Sequence, residues 1–157
     1  MASPHGVWTQ EGRLFVAETI GGNRRIMVWN QVPTETGQPA DLVLGQASLE
    51  SPASNLGPSQ SFSPQTLTGG GEYLMATDGN RARILLFRNP DENGEAALRV
   101  LGQSNFEASV PNDPEPDGVE SGPSARTFSR PEDVVFAGGR LFVADIDNNR
   151  VLVFEAR

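Results

Sequence analysis

Leu141-Phe142-Val143-Ala144-Asp145-Ile146-Asp147-Asn148-Asn149-Arg150-Val151-Leu152-Val153-Phe154 is the stretch on which the fold turns. Two apolar runs of four residues flank a polar segment, the first closed by an acid and the second opened by an arginine. Short runs rich in β-branched and aromatic residues, bounded by Asp and Asn, have the form of strands. Asp and Asn favour the turn between them because their side chains bond their own backbone. The stretch therefore predicts a hairpin.

The same order recurs upstream, and self-similarity at a fixed period is the sign of a repeat architecture. Pro4, Pro64 and Pro131 each stand ten positions before a leucine, namely Leu14, Leu74 and Leu141. Each leucine opens a similar pentad ending in Glu18, Asp78 or Asp145, and after a polar turn Arg25, Arg83 or Arg150 introduces the next run. Those runs are Ile26–Trp29, Ile84–Phe87 and Val151–Phe154. A further element occurs twice, where Pro33 and Pro90 stand eleven residues before Leu44 and Leu101 within Val43-Leu44-Gly45-Gln46 and Val100-Leu101-Gly102-Gln103. The period is 60 residues and then 67, the excess lying in the connection before Pro131.

Each repeat thus supplies a first strand around Val7, Leu67 or Val134, the leucine pentad, the run after the arginine, and a strand ending at Leu-Gly-Gln. Four short antiparallel strands per repeat predict an all-β chain built as a β-propeller. The continuous rather than alternating apolar runs imply burial on both faces, as when sheets stack between neighbours. No window carries apolar residues at i, i+3, i+4 and i+7 through three turns, which argues against a long amphipathic helix. The expected blades are about 4–46, about 62–103 and about 128–157 of a single unit.

Composition removes several function classes. The 157 residues contain 12 Lys+Arg against 20 Asp+Glu, a net charge of −8, no lysine, one histidine and no cysteine. Without cysteine there are neither disulfides nor thiolate nucleophiles nor thiolate metal ligands. His5 by itself cannot build a multi-histidine zinc site. The acidic balance disfavours a nucleic-acid surface. No apolar run approaches the roughly 20 residues of a membrane-spanning helix, and no basic-then-apolar leader opens the chain. Localisation is left open; the cytoplasm is expected only if the N-terminus is natural. Gly69-Gly70-Gly71 lies between strands with no helix after it, so it lacks the helix N-terminus that binds phosphate. No cofactor, metal site or catalytic residue is expected.

Assembled in this order, the residues resemble the NHL-repeat family of β-propellers. The match is carried by Pro131-Glu132-Asp133-Val134 with the hairpin quoted above, by the same pattern from Pro4 to Trp29, and by Pro64 to Phe87, where Arg81-Ala82 replace Asn148-Asn149. Ala40-Asp41-Leu42-Val43-Leu44-Gly45-Gln46 resembles bacterial members in particular. The resemblance implies a six-bladed ring acting as a scaffold for proteins or other ligands; relatives with the same architecture include lactonases, amidating lyases and RNA binders. It also implies that first strands line a central channel, so that His5, Gln65 and Glu132, each directly after an anchor proline, are candidate ligand-binding residues.

One departure stands out. The third repeat ends at Arg157 without a Leu-Gly-Gln strand, so three blades make half a ring. Each terminal blade is then expected to show an apolar face of a size monomers rarely tolerate. A homodimer pairing two half-rings, or further blades of a longer propeller, would cover it, and Val151–Phe154 is a sheet edge seeking a partner.

Other candidates have structural explanations. Glu18 with Arg25, Asp78 with Arg83 and Asp145 with Arg150 recur in every repeat, so charge-assisted pairing across a hairpin explains them better than catalysis. Asp145-Ile146-Asp147-Asn148-Asn149 resembles the start of a calcium loop, but Arg150 and Ala156 stand where that loop requires Gly and Glu. The acidic, proline-rich connection from Ser104 to Arg130 is expected to be a structureless, solvated insertion, or else an interaction arm for a basic partner. Trp29, Phe87 and Phe154 share one repeat position, which suits packing between blades. The favoured expectation is a non-catalytic binding or assembly scaffold with protein or small-molecule ligands. The alternative is part of a lactonase-like propeller hydrolase, with carboxylates such as Glu132 and Asp133 holding a divalent ion on the axis.

Overall fold

The computed structural model describes residues 3–19, 23–51, 57 and 60–155. Among the described residues the regular elements are all β-strands apart from two single-turn 3-10 segments, Gly79–Arg81 and Ile146–Asn148. Strands β1 (Pro4–Gln10), β2 (Arg13–Glu18), β3 (Arg25–Trp29) and β4 (Leu42–Leu44) form one antiparallel meander. Strands β5 (Leu67–Gly70), β6 (Tyr73–Asp78), β7 (Arg83–Arg88) and β8 (Arg99–Leu101) form a second. The third sheet, β9 (Pro131–Ala137), β10 (Arg140–Asp145) and β11 (Arg150–Glu155), has three strands.

Register follows the repeat. Leu14 pairs with Trp29, Leu74 with Phe87 and Leu141 with Phe154. At the other end of the same strands Glu18 pairs with Arg25, Asp78 with Arg83 and Asp145 with Arg150. The apolar run fixes which residues face inward, and a slip of one residue would turn every side chain to the opposite face. The 3-10 turns close on Ala82 and Asn149, both left-handed at φ 49° and 52°. Asn tolerates that conformation better than most residues, whereas Ala82 is held there by burial against the third sheet's core.

Sheets pack through opposite faces. One face of the first sheet (Phe15, Ala17, Ile26, Val28, Leu44) meets one face of the second (Leu67, Leu74, Ala76, Leu85, Phe87). The other face of the second sheet (Met75, Ile84, with Leu86 and Leu101) meets Val134, Leu141 and Val143 of the third. Strand β5 touches β1 on one side and β9 on the other, so the first strands of all three sheets are neighbours. Phe62 and Phe128, from the connections entering the second and third sheets, are wedged between sheets against Phe87 and Phe154, at 5.6 and 6.0 Å between ring centroids.

The two ends differ. On the last sheet Val135, Phe142, Val151 and Val153 are exposed together. Val151 is 64% accessible, whereas Ile26 and Ile84 at the same repeat position are 0%. On the first sheet the expected open apolar face is instead largely covered: Val16, Met27 and Trp29 are buried with Leu14 and Ala40, leaving Val7 exposed. The connection after β3 lies back over this face, where the Trp29 indole N–H donates to the Gln38 carbonyl at 3.1 Å. A second departure concerns Ser104–Arg130, which has no strand or helix of its own yet is anchored. Asn112, Asp113 and Thr127 are buried, and Asn112 Nδ2 donates to Glu120 and Asn148 at 2.9 and 3.0 Å. Buried polar groups must find partners, and here the amides of Asn112 and Asn148 bond each other.

Candidate functional site

The first residues of β1 and β9 and the residues leading into β5 come together at one end of the sheets. His5 is exposed, and its Nδ1–H faces the Gln65 carbonyl at 3.3 Å. Gln65 is half-buried, its Oε1 packed against Gly79 with no hydrogen-bond donor. A Cβ at Gly79 would strike that oxygen, so glycine there makes room for the amide. Glu132 is half-buried and pairs with Arg130 Nε at 3.3 Å, and the same guanidinium lies 3.7 Å from Asp147. Thr66 Oγ1 donates to the Glu132 backbone carbonyl at 2.8 Å. His5 and Gln65 are thus in contact, while Glu132 is linked to the segment beside Gln65 through Thr66. Asp133 is exposed, its Oδ1 accepting from the Val134 N–H at 2.9 Å.

The recurring acid–arginine pairs form nodes at this same end of the sheets, where Pro4 pairs with Glu18 and Pro131 with Asp145. Arg25 Nε donates to Glu18 at 2.6 Å; Arg83 and Arg150 donate to Asp78 and Asp145 at 2.9 Å. Each acid is fully buried. The arginines are graded, 0% exposed at Arg83, 11% at Arg25 and 22% at Arg150. In the middle sheet all three arms of the guanidinium are used. Nε meets Asp78, Nη2 donates to the Ser61 carbonyl at 2.8 Å, and Nη1 donates to the Phe106 carbonyl at 2.6 Å. Arg25 keeps the arm toward its outgoing connection, donating from Nη1 to the Leu49 carbonyl at 3.0 Å. Arg150 keeps the incoming arm, donating from Nη2 to the Thr127 carbonyl at 2.6 Å. Asp78 Oδ1 in turn accepts the Ser63 N–H, and Asp145 Oδ1 the Ser129 N–H, at 3.2 and 2.9 Å. The middle node therefore clamps its hairpin to the chain before and after it, the first node to the chain after and the third to the chain before.

Burial pushes the Asp78 carboxyl above the usual carboxylate range, opposed by the charge and hydrogen bond of Arg83. Burial likewise lowers Arg83 from its ordinary value, opposed by Asp78. The two charges offset each other, both Asp78 carboxylate oxygens accept a hydrogen bond, and all three Arg83 nitrogens donate one.

Asp145-Ile146-Asp147-Asn148-Asn149 forms a hydrogen-bonded turn. Asn148 Nδ2 donates to Asp145 and Asn112 at 2.7 and 2.9 Å, and the Asn149 N–H to the Ile146 carbonyl at 3.0 Å. Ala156, the twelfth position of the calcium pattern, lies outside the described residues. Among the described residues no three His, Asp or Glu side chains gather as a metal-holding group. An apolar groove of about 410 Å³ runs between the second and third sheets, lined by Met75, Leu86, Val100, Phe136 and Phe154 with Arg99 and Glu155 among its polar lining residues.

Sequence patterns located the pairs but missed Phe62 and Phe128, although Ser61-Phe62-Ser63 and Thr127-Phe128-Ser129 were visible signals ahead of two anchor prolines. They also missed Gln46 and Gln103, whose amides are buried, Gln46 accepting from Arg25 and Gln103 donating to the Val110 carbonyl.

The family model for the NHL repeat matches residues 128–154, the hairpin and first strand of the last sheet. No curated protein matches the sequence. Among solved structures, a chain in the crystal structure of an active polycomb repressive complex 2 in the basal state is similar at 12% identity and a TM-score of 0.51. The similarity covers 96% of this chain and 26% of that one, so this chain spans about a quarter of the length of the solved chain it matches. At that identity the likeness speaks to fold alone. Three antiparallel sheets packed face to face, the last of them matching the NHL repeat, have the form of β-propeller blades.

Proposed function

We propose that this arc of NHL-type blades is a non-catalytic scaffold for binding and assembly, its open end covered by a second copy that completes a six-bladed ring or by further blades. The observation that carries this is the face formed by Val135, Phe142, Val151 and Val153, exposed at positions that are buried or half-buried in the other two sheets. An apolar patch of that kind on a soluble protein marks an interaction surface. The charged residues support the same reading: the recurring buried carboxylates Glu18, Asp78 and Asp145 are each committed to an arginine. Ligand selection on this scaffold falls to His5, Gln65 and Glu132, which differ among themselves within a repeated frame and sit on adjoining segments.

Multi-angle light scattering over a range of concentrations tests assembly. A mass of two chains, reduced to one by Val151→Asp, is the expected result, and a compact monomer at all concentrations overturns it. A panel of lactone and ester substrates with added calcium supplies the opposing outcome, since turnover lost on Glu132→Gln would make the chain part of a hydrolase.

A further inference from the structure

We propose that Asn93-Gly94 is a modification site, an amide that hydrolyses spontaneously through a cyclic imide, and that the packing of the second sheet against the first holds it shut. Only contacts between two sheets of one chain are involved, so the site is the same whether or not copies associate.

The reaction needs the two residues and water. The Gly94 nitrogen, once its proton is lost to solvent, adds to Asn93 Cγ. The Cγ–Nδ2 bond breaks, and ammonia leaves with a proton returned by solvent. Water then opens the five-membered imide at either carbonyl. One opening leaves aspartate; the other leaves isoaspartate, in which the main chain runs through the side-chain carbons. Glycine favours ring closure because it has no Cβ to obstruct the approach. In the whole sequence Asn93 is the one asparagine followed by glycine.

Three contacts bind this dipeptide to β4 and to the connection that follows it. Asn93 Oδ1 accepts the Val43 N–H at 2.9 Å, and the Gly94 N–H donates to the Val43 carbonyl at 2.8 Å. Gln60 Nε2 donates to the Gly94 carbonyl. The attacking nitrogen and the amide it must attack are thus both tied to Val43, each by a different backbone group. Gly94 is also buried at φ +67°, where a Cβ would lie 3.0 Å from the Gln46 carbonyl. Ring closure therefore requires the turn to lift from β4.

The first repeat contains a control. Thr36-Gly37 stands at the same offset from Pro33 as Asn93-Gly94 from Pro90. Gly37 has φ +81°, close to that of Gly94, yet open space surrounds it and Thr36 is exposed. The left-handed glycine is common to both turns, and docking against a neighbouring strand is what separates them.

Conversion also acts on the fold. β4 is the outer strand of its sheet, and the turn at Asn93 occupies the backbone groups of Val43 on its open side. Isoaspartate lengthens the main chain just before Gly94 and adds a charge to a turn that already carries Asp91, Glu92 and Glu95. Both changes drive the turn off β4, and a strand edge left uncovered recruits other chains.

The experiment incubates the full chain, its Thr36→Asn variant and a synthetic peptide of residues 88–97 in parallel at neutral pH, and follows conversion by mass mapping. Conversion should be fast in the peptide and at position 36 of the variant, and at least about a hundredfold slower at Asn93 of the folded chain. Gln60→Ala, which removes one tether, should speed Asn93 by roughly threefold to tenfold. In the isolated converted chain, amide exchange at Val43 should quicken by about tenfold or more. Conversion of Asn93 at the peptide's rate overturns the protection, and an inert peptide overturns the chemistry. Equally slow conversion at position 36 refutes docking as the cause, and unchanged exchange at Val43 refutes release of the edge. Should Gln60→Ala fail to fold, the comparison of positions 36 and 93 within one molecule still decides.

Discussion

Replacing Arg83 by methionine separates a structural clamp from a dispensable ion pair. Methionine keeps much of the length and removes three donors, those to Asp78, Ser61 and Phe106. Asp78 is left as a buried carboxylate with the Ser63 N–H still bonded to it. Removing one partner of a buried pair destabilises by about 3–5 kcal/mol, a large part of the 5–15 kcal/mol that holds a typical domain together. At this size each kcal/mol is worth roughly 2–4 °C, so the melting temperature should fall by on the order of 10 °C at pH 7. The pH dependence has a definite sign. Burial already holds the Asp78 carboxyl above 3.8, and Arg83 opposes that rise. Without Arg83 the folded-state value climbs further, so the folded variant binds the proton more tightly than its unfolded chain. The penalty is therefore complete above the raised value and falls away as pH drops through it toward 3.8. Thermal unfolding followed by circular dichroism at pH 7 and pH 4, for wild type, Arg83→Met and Arg83→Met/Asp78→Asn, reads all of this. The deficit should be smaller at pH 4, and the double variant should recover part of it at pH 7. A deficit under about 1 kcal/mol, or one that is the same at both pH values, would refute the reasoning.

Further outcomes follow from the same structure. Ile84→Ala should cost about 2–5 kcal/mol in denaturant unfolding, whereas Val151→Ala at the equivalent repeat position should change monomer stability by less than about 0.5 kcal/mol while weakening association. Gly102→Ala should destabilise by at least about 2 kcal/mol, because its φ is +89° and the new Cβ would strike the Phe128 ring. Gly12→Ala, at φ +80° with open space around it, should cost nearer 1 kcal/mol. Phe128→Ala, removing a fully buried ring between sheets, should cost about 3–5 kcal/mol and speed hydrogen exchange in the Ser104–Arg130 connection before it does so in β10.

How far the sequence could be followed depended on the distance over which each contact acts. Leu141, Asp145, Arg150 and Phe154 lie on two strands joined by a tight turn, and their pairing needs only the turn and the strand period of two. The same holds for Glu18 with Arg25 and Asp78 with Arg83, so the acid–arginine pairs were legible as structural. The second and third arms of Arg83 were not, because Ser61 and Phe106 reach it through the paths of two irregular connections. The candidate positions His5, Gln65 and Glu132 could be aligned by their offset from proline, but not the 3.3 Å contact of His5 with Gln65 or the link through Thr66, which depend on how neighbouring sheets abut. Asn112 was unreadable for a related reason: its partner Asn148 lies 36 residues away.

By itself the sequence determined the period, the strand order within each repeat, the hairpin register and the identity of the buried ion pairs. All of these are contacts inside one repeat, where chain connectivity keeps the alternatives few. Only the tertiary structure decided which sheet face is covered and which is open. Trp29 and Phe154 share a repeat position, as do Ile84 and Val151, and nothing local separates Ile84 from Val151. Burial is a property of what packs alongside, and for Val151 and Val153 no neighbouring sheet among the described residues lies there.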